Sequence, residues 1–347
     1  MASIQTSDLI YRLPQVSNDT TSNGGRMTKN VMGTGVGNIM PTLEMDERTA
    51  GINRYRKRYL HVSTSDNTEY MNVSAYIAMP TREDDRVALF LGTQIDTQDD
   101  ITGAERKYTC GFLNANVTAG ATQITVAVES AADNGFAIGD QIKIFHTQWS
   151  TPLVKFVDLT VERKTIQNVS AAGNILTITL DSALANSFNK VESWSGTPLQ
   201  LTEYTAVASF APVGNVVATA SDFVITSASG NYDINNYLII LSNRGCIQQN
   251  WTLTFSSSTV IVATGDTLVG TFGGNTLSGI SPTNADFSMP YFTLVSGGFS
   301  GLWSAGDTIE FTTNPASIPL WFKQVVPPNT DSFSANRWMI GLEGESG

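Results

Sequence analysis

The feature that most constrains the fold of this chain is a series of short period-two segments between residues 55 and 342. In 59–64 and 71–77, apolar and polar side chains alternate, as they do in strands that bury one face. No window of a dozen residues places apolar side chains at helical spacing between a cap and a stop signal. The best helix candidate, 181–190, spans only about three turns. The pattern therefore predicts an all-β chain of antiparallel strands.

Further alternating or continuous apolar runs predict more strands at short, regular intervals. These runs are 86–92, 123–128, 141–145, 154–161, 175–180, 224–225, 237–241, 251–255, 259–263, 308–312, 321–326 and 337–342. A Gly-Asp pair precedes an alternating segment twice, at 139–140 and 306–307. Glycine can adopt a positive φ there and aspartate can hydrogen-bond nearby backbone, which predicts a tight turn before each strand. Charged residues are 15% of the chain, against about 25% in typical soluble domains, so neutral polar residues must cover these sheets.

The first fifty residues differ from the rest of the sequence. Polar and glycine-rich clusters at 17–25 and 33–37 interrupt each hydrophobic period before it reaches the length of an element. We therefore predict an extended N-terminal arm over 1–50. Such an arm is either disordered or ordered by a neighbouring subunit, because alone it buries too little apolar area to offset about 1–2 kcal/mol of backbone entropy per residue. The second alternative implies an assembly.

The net charge, the spacing of the cysteines and the length of the apolar runs exclude several classes of protein. The chain has 20 Lys and Arg against 31 Asp and Glu, a net charge of −11, which argues against a protein that coats nucleic acid. Cys110 and Cys246 have no Cys or His partner at metal-ligand spacing, so zinc modules and disulfide scaffolds are excluded, and buried free thiols are favoured. No apolar run approaches the ~20 residues of a membrane helix. Residues 1–9 lack the features of a signal peptide, so we expect no membrane partner and synthesis without a signal.

No constellation of residues predicts catalysis. The chain has two histidines, His61 within a strand and His146 at the end of one, and neither accompanies a nucleophile motif. The carboxylates at 83–85 and 96–100 lack the register of a calcium loop, which favours solvated turns. The glycines of 33–37 follow no strand and lack the lysine of a phosphate-binding loop. We predict a non-enzymatic chain without a cofactor or metal, and a glycoside hydrolase using paired carboxylates is a minor alternative.

One basic cluster stands out against the acidic balance of the chain, interleaved with two tyrosines. Its members are Arg54, Arg56, Lys57 and Arg58. In a strand, the three arginines share one face. A strip that pairs with acidic surface on a neighbouring copy or partner is the favoured interpretation, and a nucleic-acid site is the alternative. Tyr11 and Arg12 are further candidates for a subunit interface.

Three stretches carry a resemblance to a known class of protein. Residues 7–13 (SDLIYRL), 54–72 and 318–328 (IPLWFKQVVPP) resemble structural proteins of tailed-bacteriophage virions. The resemblance implies neck, collar or tail components that assemble as rings, with flexible arms and immunoglobulin-like or barrel modules. It covers both ends of the sequence, whereas 106–313 lies outside it.

The strands of the two ends lack partners of their own, so we predict that they complete one sandwich into which further β material is inserted. The resemblance implies that this sandwich is immunoglobulin-like and that the inserted modules are β-sandwiches or barrels. The predicted organisation is an arm over 1–50, the first part of the sandwich over 51–105, an inserted small β domain over 106–192, a second β domain over 193–313, and closing strands over 314–347.

The favoured functional hypothesis is a structural subunit of a phage particle, a collar or neck component that forms a ring at the head-to-tail junction. Its expected partners are copies of itself and connector or tail proteins, and its expected location is the virion, assembled in the host bacterial cytoplasm. The alternative is a receptor-binding or carbohydrate-binding virion module, such as a tail or decoration protein. In that case Trp149, Trp194 or Trp303 would stack on sugar rings.

Overall fold

A computed structural model of the chain describes residues 3–33, 37–81, 84–130, 134–196, 200–332 and 336–347. Its strands are β1 (Leu9–Val16), β2 (Gly24–Val31), β3 (Ile52–Val62), β4 (Tyr70–Met79), β5 (Arg86–Leu91), β6 (Cys110–Leu113), β7 (Gln123–Ala127), β8 (Gln141–Ser150), β9 (Lys155–Ala172), β10 (Ile175–Leu180), β11 (Glu192–Ser195), β12 (Gln200–Ser209), β13 (Ala211–Val216), β14 (Thr219–Thr226), β15 (Asn231–Tyr232), β16 (Gln249–Phe255), β17 (Val260–Gly265), β18 (Phe272–Asn275), β19 (Thr283–Asn284), β20 (Met289–Pro290), β21 (Phe299–Ser300), β22 (Thr308–Asn314), β23 (Ser317–Val326) and β24 (Met339–Ser346). The helical elements are α1 (Met45–Ala50) and the 3-10 turns Thr6–Asp8, Gln98–Asp100 and Ser296–Gly298. The all-β prediction is confirmed, and its immunoglobulin-like detail stays a prediction.

Two sheets pack face to face around the first core. One has the order β2-β1-β3-β23-β5 and the other β13-β4-β24. Strand β23 lies antiparallel to β3 from Ser317 opposite His61 to Val326 opposite Ile52. Alternate residues of both sheets, among them Leu60, Ile77 and Leu320, are buried between them. This sandwich is the part of the molecule that holds the basic cluster.

The second module is a closed barrel. Strands β12, β6, β7, β10, β9 and β8 pair in that order, and β8 pairs back onto β12. Closure removes the free edges that an open sheet would expose. The interior is filled by branched aliphatic side chains such as Ile124, Ile144 and Ile178, none of which is exposed by more than 2%. Strand β11 forms a hairpin with β12 outside the ring.

The third module is an open sheet of order β14-β22-β16-β17-β18. Its core is aromatic: Trp251, Phe255 and Phe311 are buried, and Phe255 stacks on Trp303 with ring centroids 3.9 Å apart. Two short strand pairs, β15 with β21 and β19 with β20, lie in the connections of this module.

The path of the chain between modules differs from the predicted boundary at residue 193. Strand β12 pairs with β6 and β8, so it belongs to the barrel. The next strand, β13, pairs with β4 in the sandwich, and the third module begins only with β14. The period-two pattern locates each of these strands but contains no information about its partner, which is why the boundary was displaced.

The predicted extended arm differs from the structure as well. Strand β1 pairs with β3, from Leu9 opposite Val62 to Arg12 opposite Tyr59, and β2 pairs with β1. Both strands therefore belong to the sandwich of their own chain. The sequence pattern does not predict these two strands, because β2 pairs irregularly with β1 and the glycines and polar residues of β2 interrupt the alternation.

Residues 181–190, the best helix candidate, form bends and one isolated bridge, and Leu184 and Phe188 pack from them into the barrel core. The strand predicted at 237–241 is wrong. Residues 237–241 contribute a single bridge, Ile240 to Thr293, and no strand. Among the described residues, no helix has the length and hydropathy needed to cross a membrane.

The two Gly-Asp turns have the same geometry, as their sequences predicted. In the first, the Asp140 amide donates to the Ala137 carbonyl at 3.1 Å and the Ala137 amide donates to the Asp140 carboxylate at 2.7 Å. In the second, Asp307 and Ser304 make the same pair of bonds at 3.1 and 2.9 Å. Gly139 and Gly306 have φ of +89° and +95°. Each turn leads into a core strand, β8 or β22.

These two glycines give a direct test of the turn assignment. We expect Gly139→Ala and Gly306→Ala each to lower the free energy of unfolding by about 1 kcal/mol, because alanine is strained at positive φ. An added Cβ meets no atom within 4 Å at either site, so the loss has no steric part. The measurement is the urea midpoint of each variant. Gly273→Ala is the control, since that glycine has equally open surroundings without a positive φ; an equal loss in the control would contradict the assignment.

Candidate functional site

The arginines of the basic cluster lie on one side of β3, as the period-two pattern predicted, and contact the N-terminal segment of their own chain. Arg54 forms ion pairs with Glu47 and, at 3.8 Å, with Asp19. Arg56 pairs with the same Asp19 at 2.6 Å and donates to the Asn18 carbonyl at 2.8 Å. One carboxylate thus holds two cations of the strand.

Arg58 is bound mainly by backbone oxygens. Its guanidinium donates to the carbonyls of Asn38 and Ile39, each at 2.9 Å, and to Ser17 Oγ at 3.2 Å. Burial lowers the pKa of Arg58 to about 10, and the neighbouring charge of Arg56 contributes in the same direction. Arg58 therefore holds the segment that leads to α1 against the sandwich.

Lys57 points to the other side of β3 and is fully buried. Its ammonium group donates to the Gly25 carbonyl at 3.0 Å, to the Asp96 carbonyl at 2.9 Å, and to Asp96 Oδ1 at 2.5 Å. The rings of Tyr59 and Trp321 lie 5.0 and 5.8 Å from Nζ. Burial lowers the pKa of Lys57, while the hydrogen bond and charge of Asp96 oppose that change.

These contacts correct the interpretation of the cluster as a strip between copies. None of its four cations is more than 5% exposed, and their partners come from their own chain. A neighbouring subunit cannot reach side chains that are already covered. The strand has cations on both faces because both faces are covered. Residues 17–19, 38–39 and 47 cover the arginines, and Gly25 and the loop after β5 cover Lys57. Those partners lie in irregular segments, so no sequence pattern announces them.

Arg12 is buried in the fold of its own chain, and Tyr11 is partly buried there. Arg12 is 5% exposed; its Nε–H donates to His61 Nδ1 at 2.8 Å, and its guanidinium lies 4.8 Å from the Phe287 ring. Tyr11 packs against the sandwich core, and burial raises the pKa of its hydroxyl. Arg12 therefore connects β1 to β3 and to the third module.

The remaining titratable candidates lie in separate parts of the fold. His146 Nε2 lies 2.8 Å from Glu203. The prediction of solvated turns holds for one of two carboxylates. Asp100 is exposed and accepts a hydrogen bond from the Thr97 amide. Asp85 is only 1% exposed and accepts hydrogen bonds from the side chains of Gln324 and Asn336. Residue 83 and residues 34–36 of the glycine-rich loop lie outside the described ranges.

The described ranges contain neither a candidate metal site nor a reactive thiol. No group of three or more His, Cys, Asp or Glu side chains there could hold a metal ion. Cys110 and Cys246 are free, as predicted. Burial raises the pKa of both thiols, to about 12 for Cys246, so neither is a ready nucleophile at neutral pH.

The structure brings two of the three candidate tryptophans together. Trp149 and Trp194 line one groove of about 380 Å³ between the barrel and the sandwich, with Phe156, Thr202 and Arg337. Trp149 is 40% exposed, and Trp194 is half-buried and donates to Glu192 Oε1 at 2.8 Å. Trp303 is 4% exposed and stacked on Phe255, so it cannot present a face to a sugar ring.

The hairpin of β8 and β9 exposes a set of large apolar side chains, of which the sequence analysis singled out only Trp149. Its exposed members are Trp149, Leu153, Val154, Leu159 and Val161. Val154 has φ of +53°, a strained value for a β-branched residue. Strand β12 accompanies β8 only as far as Gln148, and β10 pairs with β9 only from Ile166 onwards. The outer part of the hairpin therefore extends beyond its neighbours in the barrel.

A bulge shapes this surface. His146 lies opposite Thr160 and Thr147 opposite Asp158, so Leu159 is an extra residue whose side chain is turned to solvent. Bulges interrupt the regular edge that another strand would need for pairing. The hairpin therefore offers apolar side chains for contact, not a continuous row of backbone donors and acceptors. Several exposed large apolar side chains on one hairpin make it a candidate interaction surface.

Comparisons with known proteins give no relative from which a function could be transferred. No family model, no curated protein and no solved structure matches the chain.

Proposed function

We propose that the chain is a non-enzymatic structural subunit of a tailed-phage particle, a collar or neck component that assembles as a ring at the head-to-tail junction. The observation that carries this proposal is the apolar hairpin of β8 and β9, with Leu153 and Val154 59% and 72% exposed at its end. Burying such side chains against another subunit removes apolar area from water, at about 25 cal/mol per Å².

The construction of the chain supports the same proposal. Three β modules are connected through the sandwich, and contacts between modules are ionic or buried: Arg26 pairs with Asp266 of the third module at 2.6 Å, and Lys143 of the barrel pairs with Glu343 of the sandwich at 3.0 Å. These ion pairs link the third module and the barrel to the sandwich, as a subunit that keeps one shape in a ring would need. The proposed partners are copies of the chain and the adjoining connector or tail proteins, within the virion.

The groove between the barrel and the sandwich supports a second candidate function. Trp149 and Trp194 line one groove whose other members, Gln200, Thr202 and Arg337, carry hydrogen-bonding groups. Aromatic faces with polar groups beside them are suited to sugar rings. A receptor-binding or carbohydrate-binding role in the virion would use this groove, and it predicts glycan binding that Trp149→Ala abolishes.

The test combines assembly and location. We expect the full chain to form a ring-sized oligomer in sedimentation velocity, and Leu153→Lys with Leu159→Lys to weaken association by about tenfold or more, since each lysine places a charge in an apolar contact. Leu277→Lys, at a still more exposed leucine of the third module (82%), is the control. A wild-type chain that stays monomeric, or a control that weakens association equally, would overturn the assignment of the hairpin.

Location decides between the two candidates. In particles purified from the bacterial host, antibody label against the chain is expected at the head-to-tail junction. Label at the tail tip or on fibres would overturn the collar role and support the receptor-binding role. Absence of the chain from purified particles would overturn both.

A further inference from the structure

Lys57 and Asp96 form an ion pair that is almost fully enclosed by the fold. Nζ and Oδ1 are 2.5 Å apart, the lysine side chain has no exposed area, and that of the aspartate is 16% exposed. Lys57 lies on β3 and Asp96 in the loop after β5. The loop is fixed around the pair: the Gly25 amide donates to the Asp96 carbonyl at 2.8 Å, and the Tyr59 hydroxyl donates to the Gln94 carbonyl at 2.9 Å.

The other oxygen of the same carboxylate has a directed donor. Trp321 Nε1–H donates to Asp96 Oδ2 at 2.9 Å. The site is closely packed, because a Cβ added to Gly92 would lie 2.7 Å from Oδ2 and 2.6 Å from the Trp321 ring. One carboxylate oxygen is therefore held by an indole donor and the other contacts an amine, in surroundings from which bulk water is largely excluded. Such fixed proximity can replace a large part of the activation entropy of a bimolecular step.

The geometry points to an intramolecular isopeptide bond between Lys57 Nζ and Asp96 Cγ. A proton passes from the ammonium group to Oδ1, which leaves a neutral amine beside a carboxylic acid. The amine lone pair attacks Cγ and forms the C–N bond, while Oδ2 carries the developing negative charge and accepts the Trp321 N–H bond, as in other preorganised oxyanion sites. The amine then loses a proton to the Oδ1 hydroxyl, the C–Oδ1 bond breaks, and one water molecule leaves.

This step is balanced without a co-reactant. An ammonium and a carboxylate become a secondary amide and water, and no atom is oxidised or reduced. Burial favours the reaction in two ways. It lowers the pKa of Lys57, which makes the neutral, nucleophilic amine accessible. It also favours the product, because an uncharged amide costs less to bury than an ammonium and a carboxylate. Trp321 acts as a positioning and polarising residue.

A second buried lysine serves as an internal comparison. Lys143 is 4% exposed and contacts two carboxylates, Asp158 at 2.8 Å and Glu343 at 3.0 Å, as well as the Tyr76 hydroxyl at 2.9 Å. These partners raise the pKa of Lys143 in spite of its burial. It stays an ammonium ion without nucleophilic character, so no bond is expected there.

The test is the intact mass of the purified, denatured full chain. We expect a mass lower than that of the sequence by one water molecule, after allowance for the initiator methionine, in the wild type and in Lys143→Arg. Lys57→Arg and Asp96→Ala are expected to have the full mass. If these variants fail to fold, digestion of the wild type decides: tandem mass spectrometry is expected to find one branched peptide that joins residues 57 and 96.

Two results would overturn the inference. One is a wild-type chain of full mass in which Lys57 is found in an unlinked peptide. The other is a loss of water that maps to a single linear peptide, which would indicate dehydration of an aspartate within its own backbone and no cross-link.

Discussion

Lowering the pH from about 6.5 to 4 is expected to remove about 3 kcal/mol from the free energy of unfolding through His61 alone. This histidine is fully buried, and its pKa is lowered from 6.5 to about 4. Burial is the main cause; the hydrogen bond to the Asn243 carbonyl opposes it, and the charges of Arg12 and Arg244 lower the pKa further. Since an arginine only donates, His61 Nδ1 must accept from Arg12, and Nε2–H must donate to the Asn243 carbonyl at 2.8 Å.

The sign follows from proton uptake. Between pH 6.5 and 4 the unfolded chain binds a proton at this histidine while the folded chain does not, so stability falls as the pH falls. The measurement is guanidinium-induced unfolding across this range. In His61→Gln, the slope of the free energy of unfolding against pH is expected to decrease by close to the value that corresponds to uptake of one proton. His146→Gln, which removes the other histidine, is the control; equal slopes in wild type and His61→Gln would refute the assignment.

Replacement of Lys143 by methionine is expected to cost about 3 kcal/mol at neutral pH. The lysine lies between modules, because Asp158 belongs to the barrel and Glu343 to β24 of the sandwich. Methionine fills the same space but leaves Asp158 and the Tyr76 hydroxyl without their cation, while Glu343 keeps its ion pair with Arg163. The carboxylates are 36% and 23% exposed, so water compensates for part of the loss and the cost stays at the lower end for a broken buried pair.

The raised pKa of Lys143 fixes the pH dependence of this contribution. The stabilisation is fully present below the ordinary lysine pKa of 10.5 and is lost only as the pH rises through the higher folded value. The guanidinium midpoint at neutral pH is therefore the suitable measurement. Lys155→Met, at an exposed lysine of the same hairpin, is expected to change stability by less than about 0.5 kcal/mol. A Lys143→Met variant as stable as this control would show that the contacts contribute nothing.

The positions of most strands could be predicted from the sequence, because alternation reports directly on which side chains face a core. Ile142 and Ile144, for example, are buried in the barrel, and the Gly-Asp turn before them has the predicted geometry. Partner choice could not be predicted in this way. Strands β12 and β13 follow one another closely, yet one closes the barrel and the other joins the sandwich, a difference that depends on contacts with distant strands.

The basic cluster shows the same limit for a candidate site. Its alternation located Arg54, Arg56 and Arg58 on one face correctly, but their burial depends on carbonyls and carboxylates supplied by irregular segments. The apolar hairpin was missed for a related reason. Leu153 and Val154 lie in a turn, and Leu159 is the extra residue of a bulge, so a pattern that assumes regular pairing places them inside.

The sandwich is assembled from strands at opposite ends of the sequence, and this has a consequence for biosynthesis. On the ribosome, β3 and β5 emerge early, but the strand that lies between them, β23, is translated only after the barrel and the third module. The barrel, whose partners are close in sequence, is expected to fold first, while the nascent sandwich waits with unpaired edges. Truncated translation products that lack β23 and β24 should therefore contain a protease-resistant barrel and an aggregation-prone N-terminal part. Pairing of β23 with β3 and β5 is then the step that commits the sandwich to its fold.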